Sequence, residues 1–231
     1  MSDRILVWDL PLRIFHWVLA ASFAGAFLTA ESERVRDLHL LCGYTFVAAI
    51  AFRVVWGFVG SRHARFSALR FGPAAIRSYL VSLLRGRPER HSGHNPPGAV
   101  MIPLLLGLGL VVAATGWGAY TDAGEWFEDA HEIAASAMLV VVVAHVLGVL
   151  VVSVLQRENL ALAMITGRKR GAAGDRIRSS RPLAALLLLV ALAGLWLPGI
   201  VSRERRMAAT AKDASVAATT EPSGVRAAHT D

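Results

Sequence analysis

The stretch 131-HEIAASAMLVVVVAHVLGVLVVSVL-155 decides the fold. Its one charged residue is Glu132, and no face of a helix drawn through it is polar. About 20 predominantly apolar residues cross the hydrocarbon core of a bilayer. The stretch therefore reads as a membrane-spanning helix. It also carries two histidines, His131 and His145, 14 residues apart. At about 1.5 Å of rise per residue they lie roughly 21 Å apart along the axis, and at about 100° per residue fourteen steps fall about 40° short of four turns. Both imidazoles thus leave nearly the same face at two depths.

Working outward, the same pattern recurs at 12–30, 39–60, 99–120 and 183–202, giving five spans. The chain has 231 residues, is 55% hydrophobic and carries a net charge of +7. Soluble domains are about 45–50% apolar. The spans leave no room for a separate soluble domain, so the fold class is all-α: an integral membrane helical bundle. Residues 203–231 are rich in Ala, Thr, Ser and charge without apolar periodicity, and are expected to be disordered. The first apolar segment lacks a clean small-residue cleavage site and carries His16 early, so it reads as retained rather than as a cleaved signal. The single cysteine, Cys42, lies inside a span, and no CxxCH occurs, which excludes covalent c-type haem attachment.

The basic residues lie between spans, which argues for membrane topology rather than nucleic-acid binding. The 60–98 loop carries Arg62, Arg65, Arg70, Arg77, Arg85, Arg87 and Arg90 against Glu89 alone. After 131–155 come Arg157, Arg168, Lys169, Arg170, Arg176, Arg178 and Arg181. The loop between the third and fourth spans carries Asp122, Glu125, Glu128 and Asp129 with no base. Positive charge stays inside. The N-terminus and the 60–98 loop are accordingly cytoplasmic, although Arg203, Arg205 and Arg206 oppose the resulting direction of the fifth span. Within the loop, residues 74–84 read as a short amphipathic helix on the membrane surface.

Histidine inside a membrane is expensive unless paired, bound or wetted, and so marks a functional site. Helix direction puts His39 level with His131 on the outer side, and His16 level with His145 on the inner side. A haem iron takes axial ligands from opposite faces, histidine commonly among them. Two pairs at two depths suit two haems; structural or proton-handling histidines are the alternative. Gly43, one turn after His39, would let a flat macrocycle approach the backbone, or serve ordinary helix packing. Arg53 would meet an inner-haem propionate, or snorkel to the interface. Trp8, Trp17, Trp56, Trp117 and Trp126 lie near span ends, where aromatic belts form. The HSGHNPPG turn, residues 91–98, with His91 and His94, would shape a quinone or partner site, or be a solvated turn capped by Asn95. His63 lies in the same loop and His229 in the tail.

The N-terminal VWDLPLRIFHW, the LHLLCGYTF and AFRVVWGFVGSRHARF stretches, the GHNPPGA turn and the pair His131 and His145 together resemble the bacterial cytochrome b561 and nickel-hydrogenase b-type cytochrome family. The resemblance covers about residues 4–170. It implies a four-helix di-haem core in the bacterial cytoplasmic (inner) membrane, with two haem b (iron) groups on His16, His39, His131 and His145. It implies electron transfer between the quinone pool, ubiquinone or menaquinone, and a c-type cytochrome or a hydrogenase, as a quinol-oxidising or quinone-reducing subunit. A homodimer is a candidate assembly. The fifth span and the tail lie outside the resemblance. Two other classes compete. A small transporter should show broken helices or internal repeats, and a non-redox membrane anchor would leave four matched histidines without a role.

Overall fold

The computed structural model describes residues 4–69, 71–86 and 89–197. A short strand β1 (Arg4–Leu6) leads into α1 (Leu10–Thr29), and a single 3-10 turn at Glu33–Val35 into α2 (Arg36–Val59). Then come α3 (Pro73–Leu84), α4 (Pro96–Tyr120), α5 (Trp126–Gln156), α6 (Leu160–Thr166) and β2 (Arg168–Arg170). The last helix among the described residues is α7, Pro182–Leu197. The described residues up to 190 form one compact unit. The expected fifth span, 183–202, lies in α7 up to Leu197; its last residues, and the tail expected to be disordered, lie outside the described residues.

Among the described residues four helices are long and apolar enough to cross a bilayer: α1, α4, α5, and α2 together with the turn before it. They are the first four spans of the sequence analysis, and each helix begins two to five residues earlier than hydropathy suggests. The reason at two of them is capping. Asp9 Oδ1 accepts the Leu12 amide at 2.9 Å, and Asn95 Oδ1 accepts the Gly98 amide at 2.8 Å. Each is followed by a first turn containing proline, where its missing N–H is harmless. These polar or proline-containing turns carry little hydropathy.

The helices pack as two hairpins, α1 on α2 and α4 on α5, which meet through α2 and α4. Gly109 makes that meeting close: a Cβ there would lie 2.8 Å from Ile50 Cδ1 and 3.1 Å from Phe46 Cζ. The bundle centre is a cluster of Phe23, Phe46, Ile50, Leu106, Val112, Ala134 and Met138. By register along α2 and α5, this cluster lies between the levels of the two histidine pairs. The outer faces remain apolar and open, as at Ile133, Val140 and Val154 of α5, which suits contact with lipid rather than water.

Below the bundle, at the end where α1 and α4 begin and α2 and α5 finish, β1 pairs antiparallel with β2 in the register Ile5 opposite Lys169. Both of these side chains turn inward and are buried. This ribbon, which no periodicity in the sequence announces, closes the basic end. The opposite end carries the acidic loop between α4 and α5.

Candidate functional site

At the acidic end, His39 stands near the start of α2 and His131 near the start of α5. Their ring centres lie 6.2 Å apart, with the planes at 87°. His39 Nδ1 lies 2.8 Å from the Ala26 carbonyl of α1, and His131 Nδ1 3.0 Å from the Val112 carbonyl of α4. A carbonyl only accepts, so in both rings Nδ1 carries the proton and donates it. Nε2 is left with a free lone pair. Each imidazole is thus held by a helix other than its own. The ring of His131 also rests against Gly116, where a Cβ would come within 2.8 Å of its Cε1. The Thr115 hydroxyl, donating to Val111 O at 2.8 Å, lies 3.4 Å from His131 Nδ1.

At the basic end, His16 of α1 and His145 of α5 are within electrostatic reach of one another. His16 Nδ1 is buried without a hydrogen-bond partner among the described residues. Arg53, nearly two turns from the end of α2, is only 2% exposed. Its guanidinium stacks over the Phe66 ring at 4.8 Å, and its Nη1 is buried without a partner among the described residues. Burial at this level is inconsistent with the snorkelling alternative, since the charge stays inside the protein. Gly43 has open space where a side chain would project, as has Gly148, one turn after His145.

The cap over this end holds residues that the sequence placed elsewhere. Trp8 and Trp56 are buried rather than belted around the bundle; Trp17, Trp117 and Trp126 are exposed. The Trp56 indole donates to both oxygens of the fully buried Asp9, at 3.1 and 3.2 Å. The HSGHNPPG turn is half-buried apart from the buried Pro96, and Asn95 caps it as expected. His94 packs on Trp8 with ring centres 4.6 Å apart, and His63 Nε2 donates to the Asp175 carbonyl at 2.8 Å. Lys169 Nζ donates to the His91 and Gly93 carbonyls at 2.9 and 3.2 Å. Burial, then the charges of Arg53 and Lys169, push the His94 imidazole down to about 3, and burial lowers Lys169 as well. On α3, Tyr79 is buried and its hydroxyl accepts from Asn95 Nδ2 at 2.9 Å, so the surface helix is pinned to the start of α4.

The model of the prokaryotic cytochrome b561 family matches residues 7–167. Among similar proteins are two named "Probable Ni/Fe-hydrogenase B-type cytochrome subunit" from Azotobacter. The one from A. chroococcum mcd 1 is 29% identical over 54% of this chain and 64% of its own length. The one from A. vinelandii is 29% identical over 52% and 61%. A protein of the same name from Rhodobacter capsulatus is 22% identical over 71% of this chain and 81% of its own. The chain thus spans under two thirds of the length of the Azotobacter relatives. No solved structure matches it. With the family match running from the first turn before α1 through α6, the chain belongs to the prokaryotic cytochrome b561 family.

Proposed function

We propose that this chain is a di-haem b-type cytochrome that carries electrons across the bacterial inner membrane, with His39 and His131 holding one haem and His16 and His145 the other. The observation that carries the reading is the facing of His39 and His131. Two imidazole nitrogens each about 2 Å from one metal, with about 1 Å from nitrogen to ring centre, put the ring centres roughly 6 Å apart. The observed separation is 6.2 Å. Both Nδ1 protons are engaged, so both Nε2 atoms are available as ligands.

The residues present fit the group at both ends. The open face of Gly43 leaves room for a flat macrocycle beside α2. The unpartnered Nη1 of Arg53 suits a propionate carboxylate, as does its burial, which makes an anion necessary. A haem iron with two imidazole ligands exchanges one electron without binding a substrate at the metal. The chain's own part is to fix the rings, exclude water and set the local charge. Ala26 and Val112 fix two rings through backbone atoms that no mutation removes. The Phe23, Phe46 and Met138 cluster fills the space between the two levels with apolar atoms.

The electron partners follow by analogy of name and chemistry. The relatives' names favour a nickel–iron hydrogenase over a c-type cytochrome on one side, and the quinone pool, as ubiquinone or menaquinone, serves the other. Arginine placement supports a cytoplasmic N-terminus.

Protein purified in detergent should give a reduced-minus-oxidised b-type spectrum with about two haems per chain, as paired axial ligation requires. Replacing His39 or His131 should remove one spectral component, and replacing His16 or His145 the other. Haem-free protein after expression with ample haem supply would overturn the reading, and loss of one shared component from His16→Ala and His39→Ala would overturn the pairing.

A further inference from the structure

We infer that the histidine pair at the acidic end is built to keep its haem at the lower of the two reduction potentials, and that Gly116 is a positioning residue for that pair. The inference rests on the ligand assignment just proposed and adds an order to the two sites.

Two independent features point the same way. The first is hydrogen bonding. His39 and His131 each donate Nδ1–H to a backbone carbonyl, at 2.8 and 3.0 Å. An imidazole that donates its far proton is a stronger donor to the metal and favours the oxidised iron. At the basic end, His16 Nδ1 is buried with no such partner among the described residues. The second is charge. Asp122 and Glu125 join α4 to α5, Glu128 and Asp129 open α5, and at the same end Glu31, Glu33 and Asp37 outnumber Arg34 and Arg36. Negative charge nearby opposes the arrival of an electron. At the basic end the buried Arg53 and Lys169 are matched by the buried carboxylates Asp9 and Glu158, so no negative charge stands in excess there. The difference in charge between the two ends therefore comes from the acidic end.

Gly116 sets the first feature. A Cβ at this position would lie 2.8 Å from His131 Cε1 and 3.0 Å from Nδ1. The ring therefore lies directly against the α4 backbone, within reach of the Val112 carbonyl one turn earlier. Any side chain at residue 116 must push the ring away and lengthen that hydrogen bond.

The test is a spectroelectrochemical redox titration of the purified holoprotein, in which haem content is measured first. Two b-type components should appear. The component lost in His39→Ala or His131→Ala should be the lower in potential. Gly116→Ala should raise, or abolish, that lower component and leave the upper one unmoved. A merely structural glycine would move both components or neither, and either result would overturn the role of Gly116. An acidic-end component equal to or above the other would overturn the order. The wild-type titration needs no variant at Gly116, so the order is testable even where Gly116→Ala fails to assemble. Absence of haem would sink the ligand assignment instead, and so tells the two failures apart.

Discussion

A guanidinium sealed inside a membrane bundle has to meet an anion, because the charge cannot be shed: arginine stays protonated. Arg53 is 2% exposed, and Asp9 is the carboxylate that acts on it electrostatically. Asp9, however, is already committed to the Leu12 amide, the Trp56 indole and the Ser61 amide, the last at 3.3 Å. Arg53→Leu should therefore cost the basic-end haem component, or shift it, while the His39 and His131 component persists; difference spectra read both. His94 gives a second prediction, with a sign fixed by burial. Its folded pKa is about 3 against the ordinary 6.5. The unfolded chain therefore takes up this proton first as pH falls. The stability due to neutral His94 is complete above about 6.5 and is lost progressively toward about 3. The cap should loosen in acid over that window, seen as a change in tryptophan fluorescence from the contacting Trp8, and His94→Gln should flatten the response.

Elements depend on contacts whose visibility in the sequence differs. The spanning helices were legible because roughly 20 apolar residues have one stable use in a bilayer. Histidine spacing was legible because helical periodicity is fixed, and 14 residues returned His131 and His145 to one face. The ribbon of β1 and β2 was not legible, because three residues are too few for an alternation to stand out. Nor was Gly116, since a glycine in an apolar run reads the same whether it touches lipid or an imidazole. Asp9 could be read only as a helix start, and its larger role appears when Trp56 arrives from α2. Asp9→Ala should remove a cap and leave a buried indole N–H unpaired, at a cost of about 2–4 kcal/mol. A fall in the thermal midpoint in detergent checks this, and Asp9→Asn should recover part of it. Lys169→Met should leave the His91 and Gly93 carbonyls without their donor. The ribbon and the HSGHNPPG turn should then separate, and limited proteolysis near Gly93 should speed up with the spanning helices intact.

At the scale of the whole molecule, charge is biased along the bundle axis, with a mixed loop of Glu31, Glu33, Arg34, Arg36 and Asp37 at the acidic end. Arg62, Arg77 and Arg168 belong to the end where α1 begins, and Asp122, Glu125 and Glu128 to the end where α1 finishes. Basic segments resist translocation more than acidic ones, so the first end should face the cytoplasm. The orientation matters for the redox reading, because it decides which histidine pair meets which aqueous compartment. The chain is well suited to a direct test: its single cysteine, Cys42, is buried. In a Cys42→Ala background, new cysteines at the exposed positions 77 and 123 report the two ends. A membrane-impermeant maleimide should label Ala123→Cys in cells whose outer membrane alone is permeabilised. It should label Arg77→Cys only after the inner membrane is breached. The reverse pattern would invert the bundle, placing His39 and His131 beside the cytoplasm and leaving their mutual geometry unchanged. Geometry and orientation thus fail separately, since the 6.2 Å approach of the two rings is set by α2 and α5, whereas orientation is set by arginines that touch neither ring.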